Sequence, residues 1–149
     1  MKQATLLVSF AILSTLFSCN KKQIEESNQF IIGTWEAISE TLTGCDDPGM
    51  DTDGELVCSE TSCVKYTFEE GGTYFAEITI NGETFGEQGT FTLDVDKISL
   101  CVEDEGVVTC NGGSFNINSL NMSFTITDTD SGCSIFRYFE KLESDPAGA

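Results

Sequence analysis

Val64-Lys65-Tyr66-Thr67-Phe68-Glu69-Glu70-Gly71-Gly72-Thr73-Tyr74-Phe75-Ala76-Glu77-Ile78-Thr79-Ile80-Asn81-Gly82 decides the fold class of this 149-residue chain. Val64, Tyr66 and Phe68 recur at every second residue with Lys65, Thr67 and Glu69 between them, the alternation of a strand that buries one face. Gly71-Gly72 reverses the chain into a second alternating run, Tyr74, Ala76, Ile78 and Ile80. Asn81-Gly82 ends that run with the dipeptide favoured in two-residue type I′ turns, which need positive φ at both central positions.

The pattern continues downstream. Thr84 to Leu93 sets Phe91, Leu93 and Val95 on one face, and Asp96-Lys97 turns the chain into Ile98, Leu100 and Val102. Later runs cover Phe115 to Asn118, Met122 to Thr127 and Ser134 to Leu142. Apart from the extreme N-terminus, no segment of helical length carries a 3.6-residue apolar period. Short strands with turns about every ten residues predict an all-β, antiparallel sandwich or barrel. One domain spans residues 30–142, a size at which cross-links add usefully to the core. Residues 143–149 read as a disordered tail.

Upstream of the domain, Met1-Lys2 and the apolar run Ala4 to Phe17 have the form of a signal peptide. That run falls short of the ~20 apolar residues that span a bilayer, and polar Asn20-Lys21-Lys22-Gln23 follows at once. Leu16-Phe17-Ser18-Cys19 resembles the bacterial lipobox, with Phe17 bulkier than usual. The resemblance implies cleavage after residue 18 and lipidation of Cys19 by acyl chains of the palmitate kind. Two or three such chains, at about 0.8 kcal/mol for each buried CH₂, anchor a protein firmly. Residues 19–29, polar and without an apolar face, read as a flexible tether. The absence of Asp at position 20 favours the outer membrane by the sorting rule of familiar lipoproteins.

Loss of residues 1–18 removes Lys2 and leaves six basic against 25 acidic residues, a formal charge of −19. Such a surface has no basic footprint for nucleic acid. It also repels anionic headgroups, so the lipid and not the domain makes the membrane contact.

With Cys19 set aside, an even set of cysteines remains: Cys45, Cys58, Cys63, Cys101, Cys110 and Cys133. In an exported chain this suggests three disulfides. Cys101 and Cys110 flank a turn at Glu103-Asp104-Glu105-Gly106 and are the first pairing expected; Cys58 with Cys63 and Cys45 with Cys133 complete the set. A zinc site at Cys58 and Cys63 is the weaker reading, because the chain has no histidine.

Between Cys45 and Cys58 lies the acidic stretch Asp46-Asp47-Pro48-Gly49-Met50-Asp51-Thr52-Asp53-Gly54-Glu55. Asp51, Asp53, Gly54 and Glu60 fall at spacings found in calcium-binding loops, although Gly49 stands where the first carboxylate belongs. Calcium is thus weighed against a solvated acidic loop pinned by its cysteines.

Ile32-Gly33-Thr34-Trp35 carries the Gly-x-Trp with which the first strand of lipocalin-like barrels opens. Together with Tyr66 to Tyr74, Gly89-Thr90-Phe91-Thr92-Leu93 and the closing Phe136 to Leu142, it makes the chain resemble the small lipocalin-like domains of bacterial lipoproteins. The resemblance covers nearly the whole mature domain and implies an up-and-down barrel of about eight strands. It also implies that Trp35 plugs the closed end beneath a basic residue of the last strand, for which Arg137, the only arginine, is the candidate.

Catalysis has little support without histidine or free thiols. Two functions remain. In the first, a membrane-anchored carrier holds a small apolar ligand among Phe68, Phe75, Phe85, Phe91, Phe124 and Tyr138, unless these aromatics fill a solid core. In the second, the acidic face acts as an interaction module or inhibitor, docking a cationic protein such as a host defence protein or lysozyme.

Overall fold

A computed structural model describes residues 22–128 and 131–143. The signal segment 1–18, Cys19 and the tail beyond residue 143 lie outside the described residues. The strands are β1 (Gly33–Thr43), β2 (Thr52–Glu55), β3 (Ser62–Glu69), β4 (Thr73–Ile80), β5 (Glu83–Asp94), β6 (Lys97–Asp104), β7 (Val107–Ile117), β8 (Asn121–Thr127) and β9 (Ser134–Lys141). β1 and β3 to β9 pair antiparallel in sequence order, and β9 returns to β1. The sheet is therefore a closed, eight-stranded up-and-down barrel. β2 is an extra short strand on the far half of β1, with Ser39 opposite Glu55 and Leu42 opposite Thr52.

Local chemistry makes the reversals. Asn81 and Gly82 hold φ of 54° and 84°, the positive pair that the type I′ hairpin needs. Glu105 and Gly106, at 50° and 81°, build the same turn between β6 and β7. The glutamate there takes a conformation that asparagine or glycine adopts more readily.

Alternation sorts side chains between the inside and outside of the wall. Inside, at the end where β1 starts and β9 finishes, Trp35, Ala37, Phe68, Tyr74, Phe124, Met122 and Phe139 are essentially excluded from solvent. Tyr66 meets Phe124 and Phe139 edge-on, with ring centroids 5.6 and 5.7 Å apart, and Phe68 meets Phe91 edge-on at 5.0 Å. This end is packed solid. Gly89 and Gly113 sit inside it because a Cβ would come within 2.2 Å of the Cys101 carbonyl and 1.6 Å of the Thr125 carbonyl, respectively.

Residues 22–31 form a helix, α1, where the sequence predicts a flexible tether. Ile24 and Ser27 are half-buried and Ile31 fully buried, three positions at helical spacing. The carbonyls that end a helix lack partners within it. Here the Trp35 indole Nε1 donates to the Ile31 carbonyl at 2.7 Å, and Lys141 Nζ donates to the Phe30 carbonyl at 2.9 Å. A segment polar along its length is thus fixed by its last turn, which lies across the closed end of the barrel. Among the described residues no helix is long and apolar enough to cross a membrane.

The six cysteines form Cys45–Cys133, Cys58–Cys63 and Cys101–Cys110. Cys101 and Cys110 stand directly opposite each other across the β6–β7 pair.

Candidate functional site

The floor of the barrel sets what the open end can hold, and its first element is the pair behind the Gly-x-Trp signature. Trp35 faces Lys141 in the β1–β9 register, and the Lys141 ammonium lies 5.1 Å from the indole centroid. The cation on Trp35 is therefore Lys141, not Arg137. Gly33, at φ +126°, leaves room for it, since a Cβ there would fall 2.8 Å from Lys141 Cε. Burial holds the Lys141 pKa below the ordinary lysine range.

Arg137 stands four residues earlier on the same face, where the register sets it opposite Glu40. Its Nε donates to Glu40 Oε2 at 2.6 Å, and both side chains are largely shielded, at 13% and 22% exposure. The pair depends on a bulge. Ala37 faces Phe139 and Ser39 faces Tyr138, so Ile38 is an extra residue in β1 and shifts Glu40 onto the inner face. Tyr66 lies beside this pair. Burial raises its pKa, and the Arg137 guanidinium opposes the rise by charge and hydrogen bonding. Across the floor, the Tyr74 hydroxyl donates to Glu87 Oε1 at 2.6 Å. Burial and that carboxylate together push the Tyr74 pKa well up. A layer of Arg137, Glu40, Tyr66, Tyr74 and Glu87 thus separates the aromatic core from the mouth.

Above the layer, the inner face opens to solvent. Ile78 pairs with Phe85 and Ile80 with Glu83, on the face that buries Tyr74 and Ala76 lower down, yet Phe85 and Ile80 are each 55% exposed. On the facing wall, Thr109 and Asn111 continue the face of buried Leu100 and are exposed as well. The mouth therefore presents apolar Ile78, Ile80 and Phe85 with carboxylate Glu87, and hydroxyl and amide groups opposite.

The six candidate pocket aromatics do not line one space. Phe68, Phe91 and Phe124 are core, packed against other rings. Phe75 and Tyr138 point to the outer face, where Phe75 covers Gly86, whose Cβ would meet its ring at 3.1 Å. Only Phe85 stands at the mouth. The alternation that turns Tyr74 and Ala76 inward puts Phe75 on the opposite face.

The calcium loop is not assembled. Asp51 Oδ1 accepts from the Cys45 N–H at 3.2 Å, and Asp53 Oδ1 accepts from the Thr41 hydroxyl at 2.9 Å within the β1–β2 pair. Glu60 belongs to the separate loop before β3, with its carbonyl near Gly82. Extension of Thr52–Glu55 as a strand pulls the ligand positions apart, where a calcium loop must curl around the ion. Among the described residues the one metal-type grouping is Glu36 with Cys58 and Cys63. Those sulfurs are joined to each other, and zinc needs thiolates.

Two clefts lie outside the floor: one of about 570 Å³ between α1 and the β3–β4 turn, touching Ile32, Gly72 and Leu93, and one of about 450 Å³ beside Asp96 and Gly113. Sequence reasoning missed Lys141, Glu40, Tyr66, Tyr74 and Glu87. For Lys141 the signal was present, because positions 137, 139 and 141 share one strand face and two of them are cations.

No family model matches the chain, and no curated protein does. Among solved structures it is similar to a lipocalin-like protein from Bacteroides uniformis, at 15% identity and a TM-score of 0.48, over 75% of this chain and 98% of that one. The strand order of this chain is itself lipocalin-like, an eight-stranded up-and-down barrel plugged at one end.

Proposed function

We propose that this chain is an exported, lipid-anchored binding module of the bacterial outer membrane, without enzymatic activity, that takes a small ligand in its barrel mouth. The observation that carries the reading is the divided inner face, sealed by aromatics at one end and reached by solvent around Ile78, Phe85 and Glu87 at the other. Concave, mostly apolar sites with a few polar groups are the usual form of small-ligand pockets. The ligand has an apolar body to cover Phe85 and Ile78. It is neutral or cationic, because Glu87 lies in the mouth and the chain carries −18 overall. Lipid anchoring is supported by the lipobox-like Leu16-Phe17-Ser18-Cys19 and by the cysteine inventory. Six of the seven cysteines are joined in pairs, and Cys19 is the one left over.

Each half has its own test. Cys19→Ala should move the exported protein from the membrane fraction to the soluble one; retention on the membrane would overturn the anchor. Titration with an uncharged naphthylamine probe should saturate at one site, and Phe85→Ser should weaken it about tenfold, in proportion to the apolar area lost. No saturable binding, or binding indifferent to Phe85→Ser and Ile78→Ser, would overturn the mouth as the ligand site.

A further inference from the structure

The barrel closes around its floor but not around its rim. β5 and β6 pair from Asp94–Lys97 only as far as Thr90–Cys101. Beyond that point β5 continues through Gly89 to Glu83 with β4 as its only partner, and β6 continues through Val102 to Asp104 with β7 as its only partner, among the described residues. β8 likewise begins its pairing with β7 at Gly113, so the β6–β7 ribbon stands clear on both sides. Two hairpins therefore diverge at the mouth and leave a slot whose walls are unpaired strand edges. Such an edge is a row of N–H and C=O groups ready to pair with another chain.

The side chains around the slot are of one sign. Glu83, Glu87, Glu103, Asp104 and Glu105 surround it, and between Lys65 and Arg137 the only basic residue is Lys97, at the opposite end of β6. Arg137 is committed to Glu40. A second copy of this chain, with the same edge and the same charge of −18, is repelled. β9 ends at Lys141 at the floor, the end opposite the slot, and the sequence that follows it contains an aspartate and a proline. Neither suits the slot.

We propose that the slot between Glu83–Gly89 of β5 and Val102–Asp104 of β6 accepts a basic, extended polypeptide segment as an added strand. Backbone pairing to the β5 edge supplies the affinity, and the surrounding carboxylates select for lysine and arginine. The inserted strand bridges two hairpins that otherwise touch only near the floor, and so completes the barrel wall.

The test uses the exported, disulfide-bonded protein and a synthetic peptide of alternating lysine and valine. Binding is expected to protect backbone amides of residues 83–89 and 102–104 from hydrogen exchange, and to weaken about tenfold between low and physiological salt. A peptide of the same composition, N-methylated at alternate residues so that it cannot pair, should lose binding. So should the unmodified peptide against Glu103→Lys/Glu105→Lys, whose substitutions lie on an exposed ribbon. Equal binding of the N-methylated peptide would mean charge attraction alone and overturn the added strand. Protection elsewhere, or equal binding of a glutamate–valine peptide, would overturn the site. Glu103→Lys/Glu105→Lys, on residues that do not line the mouth, should leave binding of the uncharged naphthylamine probe within about twofold, so the two proposals fail separately.

Discussion

Lys141 meets an aromatic face, a helix-end carbonyl and the space left by a glycine at one point. Lys141→Met keeps the stem but removes the charge, and should cost about 1–3 kcal/mol of stability in denaturant unfolding. It should also change the emission of Trp35, the only tryptophan. Arg137→Met should leave that emission unchanged while destabilising the fold, since it strands Glu40 in a shielded site; about 1–3 kcal/mol is expected, less than for a fully buried pair. The tyrosines of the floor give a pH signature. Tyr66 and Tyr74 have pKa values raised above the ordinary 10.0, so the folded state keeps protons that the unfolded state releases. Their contribution is fully present below pH 10 and is lost as pH rises further, so stability should fall on the alkaline side. Tyr74→Phe should flatten that fall, which denaturation at several alkaline pH values would measure. Lys141, shifted downward, acts with the opposite sign, and comparison with Tyr74→Phe separates the two.

At the scale of elements, what alternation reports and what it misses divide cleanly. β3 and β4 are legible because each holds an unbroken period of two, and the turn after β4 uses the dipeptide its geometry asks for. β1 is not, because counting inward from Trp35 and Ala37 by twos reaches Ser39 and Thr41 and leaves Glu40 outside. The bulge at Ile38 reverses that assignment, and nothing in the local residue types announces it. The pairing of Trp35 with Lys141 lies before the bulge, and its trace in the sequence is the second cation on the strand face of Phe139. The helix 22–31 is a different failure. Its stability comes from contacts at its last turn with β1 and β9, which are distant in sequence and leave no periodic trace. Ile31→Ala should therefore cost about 2–4 kcal/mol, as for other fully buried aliphatics, and expose the helix to proteolysis. Gln23→Ala, on an exposed position, should do neither. In the acidic loop, spacing suggested a calcium site, but Thr41 and Asp53 preferred a strand pairing.

Across the whole molecule, the two ends are stabilised by different means. Aromatic packing fills the floor, whereas the disulfides lie towards the mouth: Cys45–Cys133 joins the end of β1 to the start of β9, Cys58–Cys63 staples the entry to β3, and Cys101–Cys110 ties the β6–β7 ribbon. Cysteine spacing made these pairs readable because two of the three are local. The bridge spanning 88 residues should contribute most, about 4.6 kcal/mol by loop-closure entropy, against about 2 kcal/mol for the one spanning five. Reduction should therefore loosen the mouth first, with hydrogen exchange rising in residues 102–109 while Trp35 stays buried. Simultaneous loss of protection at both ends would contradict this division.

The outer half of the β6–β7 ribbon, unpaired on both sides among the described residues, has a consequence for descent. Beyond Val102, which still packs against the core, it is held by its own turn and one covalent bond, so substitutions along residues 103–109 disturb little else. The floor tolerates almost none, as the glycines at 33, 89 and 113 already abut other atoms. Homologous chains should accordingly keep the plugged end nearly fixed while the ribbon drifts in length and composition, and with it the choice of partner.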